Sequence, residues 1–488
     1  MTEVAPQEFL YLLPEMVLAT AGMVLLVAGS LGRGGGHRLC TLGATAALLV
    51  TGFLVISING RLEGPTELLS GMFILDGYAF FWKILFIVSS LVVVVMSERF
   101  LADGGGRFGE YYALILLATT GMLLMASGFN LLSIWISLEL MALSSYVLAG
   151  FFKHERKSNE AALKYFVLGA LSSGILLYGI SLLYGATGTI QLAALAERLP
   201  EAAALGREAP LAAIGWLLVA IGLFFKVAAV PFHVWTPDVY QGAPTPVTAF
   251  LAVASKAASF AILVRIFYQG MPSLKPEWQW AVAGVAIITM IWGNLAALTQ
   301  QNVKRMLAYS SIAHAGYILM GVLAASEEGL WALLFYLFAY SFITLGAFGT
   351  VILLEQREYA GETYSDYAGL ARRAPFLAAM MLIFMLALTG IPPTGGFFGK
   401  IYLFAAAIEA GWTWVAVVGV LTSAISLYYY LGIVVQMYFK NSQDDTPLPL
   451  AAPGLSGTVA VCAIVTVLLG LLPESLVDFA KNSLIALP

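Results

Sequence analysis

The chain has 488 residues, 60% of them hydrophobic and only 11% charged, with a formal net charge of −4. Soluble globular chains run at about 45–50% apolar and about 25% charged, so an ordinary soluble domain, a disordered chain and a nucleic-acid-binding module are excluded. The two cysteines, Cys40 and Cys462, lie in apolar stretches and offer no spacing for a metal, a haem or a disulfide framework.

The N-terminal MTEVAPQEFLYLLPEM has neither a basic n-region nor a small-residue cleavage site, and is expected to run into a first membrane helix. A helix needs roughly 20 apolar residues to cross a bilayer. Segments of that kind are expected near 10–30, 39–58, 74–97, 111–128, 131–151, 162–184, 211–229, 247–268, 280–299, 306–325, 330–353, 376–405, 413–437 and 456–472. The fold class expected is an all-α, polytopic membrane protein of about fourteen transmembrane helices. The seventh segment runs into Pro231 and the twelfth holds IPPTGG, so both are expected to be broken.

One set of connections carries thirteen Lys and Arg (Arg33, Arg38, Arg99, Arg107, Lys153, Arg156, Lys157, Lys304, Arg305, Arg357, Arg372, Arg373 and Lys440). The alternate set, with the termini, carries five (Arg61, Arg198, Arg207, Lys275 and Lys481). The positive-inside rule puts the richer set in the cytoplasm and both termini outside. A faint internal repeat relates Gly121 and Asn130 to Gly293 and Asn302, and Lys226 to Lys400. Two five-helix units, segments 4–8 and 9–13, would then lie inverted in the membrane with sites at their broken helices. The division expected is 1–110 for three N-terminal helices, 111–268 and 269–437 for the repeats, and 438–488 for a C-terminal helix.

Six basic residues remain inside segments. Arg265, near a segment end, is expected to snorkel to the interface. Lys83, Lys164, Lys226, Lys256 and Lys400 would each cost about 2.5–3.5 kcal/mol facing lipid, so they must face protein, water or a partner. Asp76 and Lys83, seven residues apart, are expected to form a local pair. Glu139 is read as the lone acid at the centre of an apolar span, and Lys226 as its partner, forming either a static bridge or a titrating pair. At roughly 4 Å and an effective dielectric of about 20, such a pair is worth about 4 kcal/mol, roughly three pKa units. Moving the Glu away would thus switch the Lys between charged and neutral near pH 7, which suffices for a proton pump element. His233 and His314 can relay protons or serve as packing residues, and Lys164 either joins the path or reaches solvent. His37 and His154 fall in basic loops. No nucleotide-binding, haem or iron–sulfur motif is present, so the driving energy must come from an ion gradient or a partner.

QNVKRMLAYSSIAHAGYILMG (Gln301 to Gly321) and FFKVAAVPFHVWTPDVYQGAPTPVTAFLAVASK (Phe224 to Lys256) resemble the antiporter-like membrane subunits of respiratory complex I and of multisubunit cation/proton antiporters. LTGIPPTGGFFGKIYLF (Leu388 to Phe404), with Lys400 where the M subunit has Glu, is similar to the bacterial N-subunit family. The resemblance implies a proton-translocating membrane-arm subunit. Glu139 and Lys226 would be the coupled pair of the first half-channel, Lys256 the central connecting lysine and Lys400 the terminal lysine. Lys164, His233 and His314 would lie on the hydrophilic axis between them. It also implies that NAD, FMN, iron–sulfur clusters and quinone are held by partner subunits and none by this chain. The partners implied are K-type and M-type neighbours, the lateral helix of an L-type subunit and the lipid bilayer of a bacterial inner membrane. The rival readings are a Na⁺/H⁺ antiporter subunit and a non-conducting scaffold of the arm.

Overall fold

The computed structural model describes residues 8–31, 37–104, 108–204, 209–355, 361–442 and 453–485. Arg33, Arg107, Arg207 and Arg357, counted above for sidedness, lie outside the described residues. The helices that carry the argument are α1 (Leu13–Leu31), α2 (His37–Asn59), α3 (Gly77–Gly104), α4 (Phe108–Ser127), α5 (Leu131–Ala149), α6 (Arg156–Thr187) and α7 (Ala209–Lys226). They continue with α8 (Thr245–Gly270), α9 (Lys275–Leu298), α10 (Val303–Ala324), α11 (Glu327–Leu354), α12 (Pro375–Thr389), α13 (Gly395–Glu409), α14 (Thr413–Phe439) and α15 (Pro453–Leu471). Among the described residues twelve helices are long and apolar enough to cross a membrane, while α1 and α12 contain shorter apolar stretches. Thus the chain is a multi-pass membrane protein.

Their apolar character does not follow one stripe, because the helices differ in what surrounds them. The apolar core of α8 is wholly buried in protein and those of α10 and α11 are 94% buried, whereas those of α14 and α15 are 33% buried. The enclosed helices are therefore the ones able to carry charge at membrane depth, away from lipid.

Both expected breaks are present. At the end of α7 the amides of Ala228 and Ala229 turn back to the carbonyls of Phe225 and Phe224, with Ala228 at φ +61°. This is the double hydrogen bond that closes a helix on a left-handed residue. The chain then runs through Pro231 to the short helix Trp235–Gly242. There the Trp235 indole donates to the Phe225 carbonyl at 3.2 Å. Gly390, at φ +89°, closes α12 in the same way, and α13 restarts on a Thr394 cap. Freed carbonyls are tolerated at membrane depth only inside protein or water, and the residues that end the two helices, Phe224 and Phe225 and then Leu388 and Thr389, are buried.

The sequence did not announce two features. A hairpin pairs β1 (Thr66–Leu68) with β2 (Phe73–Leu75), and the helix Leu192–Ala204 buries Leu192, Leu195 and Leu199. The hairpin's Phe73 meets Gly128, and Asn130 meets Gln191, at one end of the bundle. At the opposite end Asn302 meets Thr363, and Lys157 pairs with Glu362 at 3.3 Å.

The repeat positions recur in structural detail. Asn130 caps α5 and Asn302 caps α10 through their side-chain oxygens. Their bridge partners, Gln191 and Thr363, are 172 residues apart, as the two asparagines are. Gly121 lies so close to α5 that a Cβ would stand 2.6 Å from the Met141 amide, and Gly293 stands in the same relation to the Ala313 amide.

Candidate functional site

The first group of candidate residues lies where α5, α6 and α7 meet. Glu139 is half-buried on α5, and its carboxylate accepts a hydrogen bond from Ser173 of α6, which also receives the Trp135 indole N–H at 3.1 Å. Two turns along α5, Tyr146 accepts from the Lys226 ammonium at 3.4 Å. Lys226 is buried as the last residue of α7. No salt bridge of direct contact joins Glu139 to Lys226 among the described residues; the hydroxyl of Tyr146, on the same helix as Glu139, meets the ammonium instead. Tyr146 in turn packs edge-on against Tyr165, which stacks on Trp235.

Lys164 belongs to a different setting. It pairs with Glu160 and with Asp238, both at 2.7 Å, and Asp238 also pairs with Arg305 at 2.7 Å. The cluster ties α6, the helix after the α7 break and α10 together at the end that holds the basic connections. Burial alone would push the Asp238 carboxyl up; the hydrogen bonds and charges of Lys164 and Arg305 outweigh it and hold the carboxyl below its usual range.

The second group is continuous. Lys256 follows a π-helical turn over Leu251–Ser255, a local widening often found at functional sites. Its ammonium donates to the Ser311 carbonyl at 2.7 Å and to the Ser311 hydroxyl. One turn along α10, His314 is held between the Tyr336 and Tyr430 hydroxyls, the latter at 3.0 Å from Nε2. Tyr430 also bonds the Ser310 hydroxyl. One turn further, the Tyr317 ring lies 5.6 Å from the His314 ring and 5.0 Å beneath the Lys400 ammonium. Lys400 donates to the carbonyls of Leu388 and Thr389 at 2.9 and 2.8 Å, and to Ser423 at 2.9 Å. Those two carbonyls are ones the α12 break leaves without an intrahelical partner. Ser311, His314 and Tyr317, three apart on one helix face, so line the space between two buried lysines.

His233 is placed apart from this row. Its ring faces Trp292 at 6.3 Å, beside the backbone of Pro231. The tyrosines, Ser311 and Asp238 were missed in the sequence reading. Ser311 and Tyr317 stand at i−3 and i+3 of His314 in LAYSSIAHAGYILMG, so a helical projection of that motif would have found them. Tyr336 and Tyr430 come from distant segments and carry no such signal.

Two expectations are overturned. Asp76 does not pair with Lys83: it forms a two-pronged pair with Arg265, at 2.9 and 3.0 Å. Arg265 does not snorkel; it is fully buried, and also donates to the Ala126 carbonyl and to Gln269. The guanidinium fork matches a carboxylate and a carbonyl inside the protein better than it needs water. Lys83 pairs instead with Glu15 of α1 at 2.7 Å, both buried. Glu15 is thus a buried acid that the sequence reading did not single out.

These arrangements have known counterparts. The family described as NADH:quinone oxidoreductase/Mrp antiporter, TM, is matched over residues 128–426. NADH-quinone oxidoreductase subunit N 2 of Rhizobium meliloti (strain 1021) is 42% identical over 470 residues, 96% of each chain. Subunit N of Trichlorobacter lovleyi is 40% identical over 97% of this chain and 96% of its own. A chain of respiratory complex I from Thermus thermophilus superposes with a TM-score of 0.79 at 35% identity, covering 95% of this chain and 98% of that one. A chain of the Mrp complex from Dietzia sp. reaches 0.83 at 25% identity, covering 98% and 97%. By matched residues, near-complete coverage and shared fold, the chain belongs to the subunit N family of NADH-quinone oxidoreductases, within the wider complex I and Mrp antiporter membrane family.

Proposed function

We propose that this chain is a proton-translocating membrane-arm subunit of an NADH-quinone oxidoreductase. The carrying observation is the row Lys256, Ser311, His314, Tyr317 and Lys400, buried polar groups in near-continuous contact across an otherwise apolar bundle. Charges at that depth are costly and are the usual mark of an ion or proton pathway. Glu139, Lys164, Lys226, His233, Lys256, His314 and Lys400 are assigned to the translocation path, with Tyr146 standing between the Glu139 and Lys226 ends. NAD, FMN, iron–sulfur clusters and quinone belong to partner subunits, and the redox step reaches this chain as a change of charge at its edge. K-type and M-type neighbours and the lateral helix of an L-type subunit are the proposed contacts, in a bacterial inner membrane with both termini periplasmic. Fourteen crossings, arranged as two inverted five-helix repeats over 111–268 and 269–437, complete the reading; the paired Asn caps and close-packed glycines support it.

Lysine suits the task because burial and neighbours can move it between charged and neutral. Lys256→Ala is expected to lower NADH-driven proton uptake in membrane vesicles and coupled quinone reduction together, with assembly intact on a native gel. Lys256→Arg is expected to rescue poorly, since a guanidinium does not release its proton. Normal pumping by an assembled Lys256→Ala complex would return Lys256 to a packing role. The likeness to the Dietzia Mrp chain favours one second reading, a Na⁺/H⁺ antiporter subunit. Co-purification with NADH-oxidising activity separates the two.

A further inference from the structure

Resting on that reading, we infer that Lys400 has its own proton entry from the end carrying the basic connections, through a side cavity gated by Asn294. The cavity is about 630 Å³; Gln300, Gln301, Tyr364, Tyr429 and Gln436 give it a polar side, and Ala424 with apolar residues of α9 and α14 completes its lining. Gln300 lies in the turn joining α9 to α10, and Tyr364 in the connection between α11 and α12. Its mouth is therefore at the same end as the Lys164–Asp238–Arg305 cluster.

Tyr429 leads inward from this cavity. Its hydroxyl donates to the Asn294 side-chain oxygen at 2.9 Å, and the Asn294 amide donates to the Tyr317 hydroxyl at 3.0 Å. Tyr317 is the ring beneath the Lys400 ammonium, and its hydroxyl donates to Thr422. Thr422 is adjacent in the chain to Ser423, which accepts from Lys400. Four elements, α9, α10, α13 and α14, so place a row of hydrogen bonds, closed at its inner end by the contact of the Tyr317 ring with the Lys400 ammonium, between this cavity and a buried lysine. Asn294 is fully buried and is held by its own helix through Met290 O.

The chemistry of the row sets its direction of control. Each tyrosine hydroxyl both donates and accepts, and so can hand on a proton. A carboxamide in the same row receives a hydrogen bond at oxygen and gives one at nitrogen, and the two atoms do not exchange a proton readily. Asn294 is accordingly the barrier: a proton passes only when it swings aside or admits a water between the tyrosines. It is a positioning residue, fixing both rings while the path is closed.

Two substitutions test the gate. Asn294→Leu, similar in size but unable to hydrogen-bond, is expected to lower proton uptake at least threefold. Asn294→Asp, which can carry a proton, is expected to keep at least half of it. Equal loss in both variants, or wild-type pumping by Asn294→Leu, overturns the gate. The entry is tested separately by Ala424→Cys. The native Cys40 and Cys462 are buried, so within this chain a charged, membrane-impermeant thiol reagent applied from the cavity's side reads the new cysteine, and the same treatment of the unsubstituted complex subtracts the thiols of its other subunits. Labelling that cuts pumping supports the entry; pumping that survives full labelling, or failure to label, overturns it. Lys400→Met serves as the reference. If it abolishes pumping while the Asn294 and Ala424 variants do nothing, only this entry fails; if it pumps normally, the reading of Lys400 itself fails.

Discussion

At the scale of single residues, Asp238 shows how much hangs on one carboxylate. It is the only acid touching both Lys164 and Arg305 among the described contacts, and its removal would leave Arg305 without an acid partner there and Lys164 with Glu160 alone. Because its folded pKa is depressed, the stability it contributes is present above the unfolded carboxyl value of about 3.9 and is lost as pH falls through the folded value. Amide hydrogen exchange across Trp235–Gly242, expressed relative to the intrinsic rate at each pH, should hence be unchanged between pH 7 and pH 5 and rise only below about pH 4. Asp238→Asn should raise it already at pH 7 and remove the acid response, at a stability cost of about 1 kcal/mol or less, since the cluster is partly solvated. A rise near pH 6 in the unmodified protein would assign the response to another group. Sequence flagged Lys164 and passed over Asp238, because an acid in an apparently polar loop looks unremarkable until the broken helix folds it back over α6.

At the scale of elements, the breaks were legible and their closures were not. Pro231 and IPPTGG announce where a helix must stop, but not that Lys400, 12 and 11 residues beyond Leu388 and Thr389, would sit on their freed carbonyls. Gly390 joins those two facts: it is at φ +89°, and a Cβ there would stand 3.1 Å from Lys400 Cδ. Gly411 is equally left-handed, at φ +85°, with nothing within 4 Å of a Cβ. Gly390→Ala and Gly411→Ala should each cost about 1–2 kcal/mol for the forced backbone, read as a loss of thermal stability in detergent. Only Gly390→Ala should also depress proton pumping. Equal pumping by both would detach the α12 closure from the function of Lys400. The spans themselves were readable because hydropathy measures the cost of the bilayer directly. The hairpin and the helix Leu192–Ala204 were not, since neither crosses it.

At the scale of the whole molecule, the N-terminal helices are fastened to the remainder by buried charge. Asp76, just ahead of α3, and Arg265 of α8 form the bolt; Glu15 of α1 and Lys83 of α3 form a second buried pair, which ties two of the N-terminal helices to each other. Sequence spacing suggested a local Asp76–Lys83 pair because only neighbours on one helix are visible in a string, whereas both true partners are more than 60 residues away. Removing one member of such a pair leaves an uncompensated buried charge and costs about 3–5 kcal/mol. Asp76→Leu should accordingly lower the unfolding temperature markedly, and Asp76→Leu with Arg265→Met should recover most of it. If the double variant is no better than the single, the pair is not the origin of the loss.

The Lys400 ammonium has three hydrogens and three acceptors: the carbonyls of Leu388 and Thr389 and the hydroxyl of Ser423. A neutral amine has two hydrogens. Each time Lys400 gives up its proton, one of those three oxygens must be released, and two of them are the loose end of α12. The Ser423 hydroxyl, which can turn and donate to the free amine, offers one way to absorb the loss; where a carbonyl is released instead, the helix break registers whether the lysine is loaded or empty, and occupancy by a single proton becomes a change of backbone support.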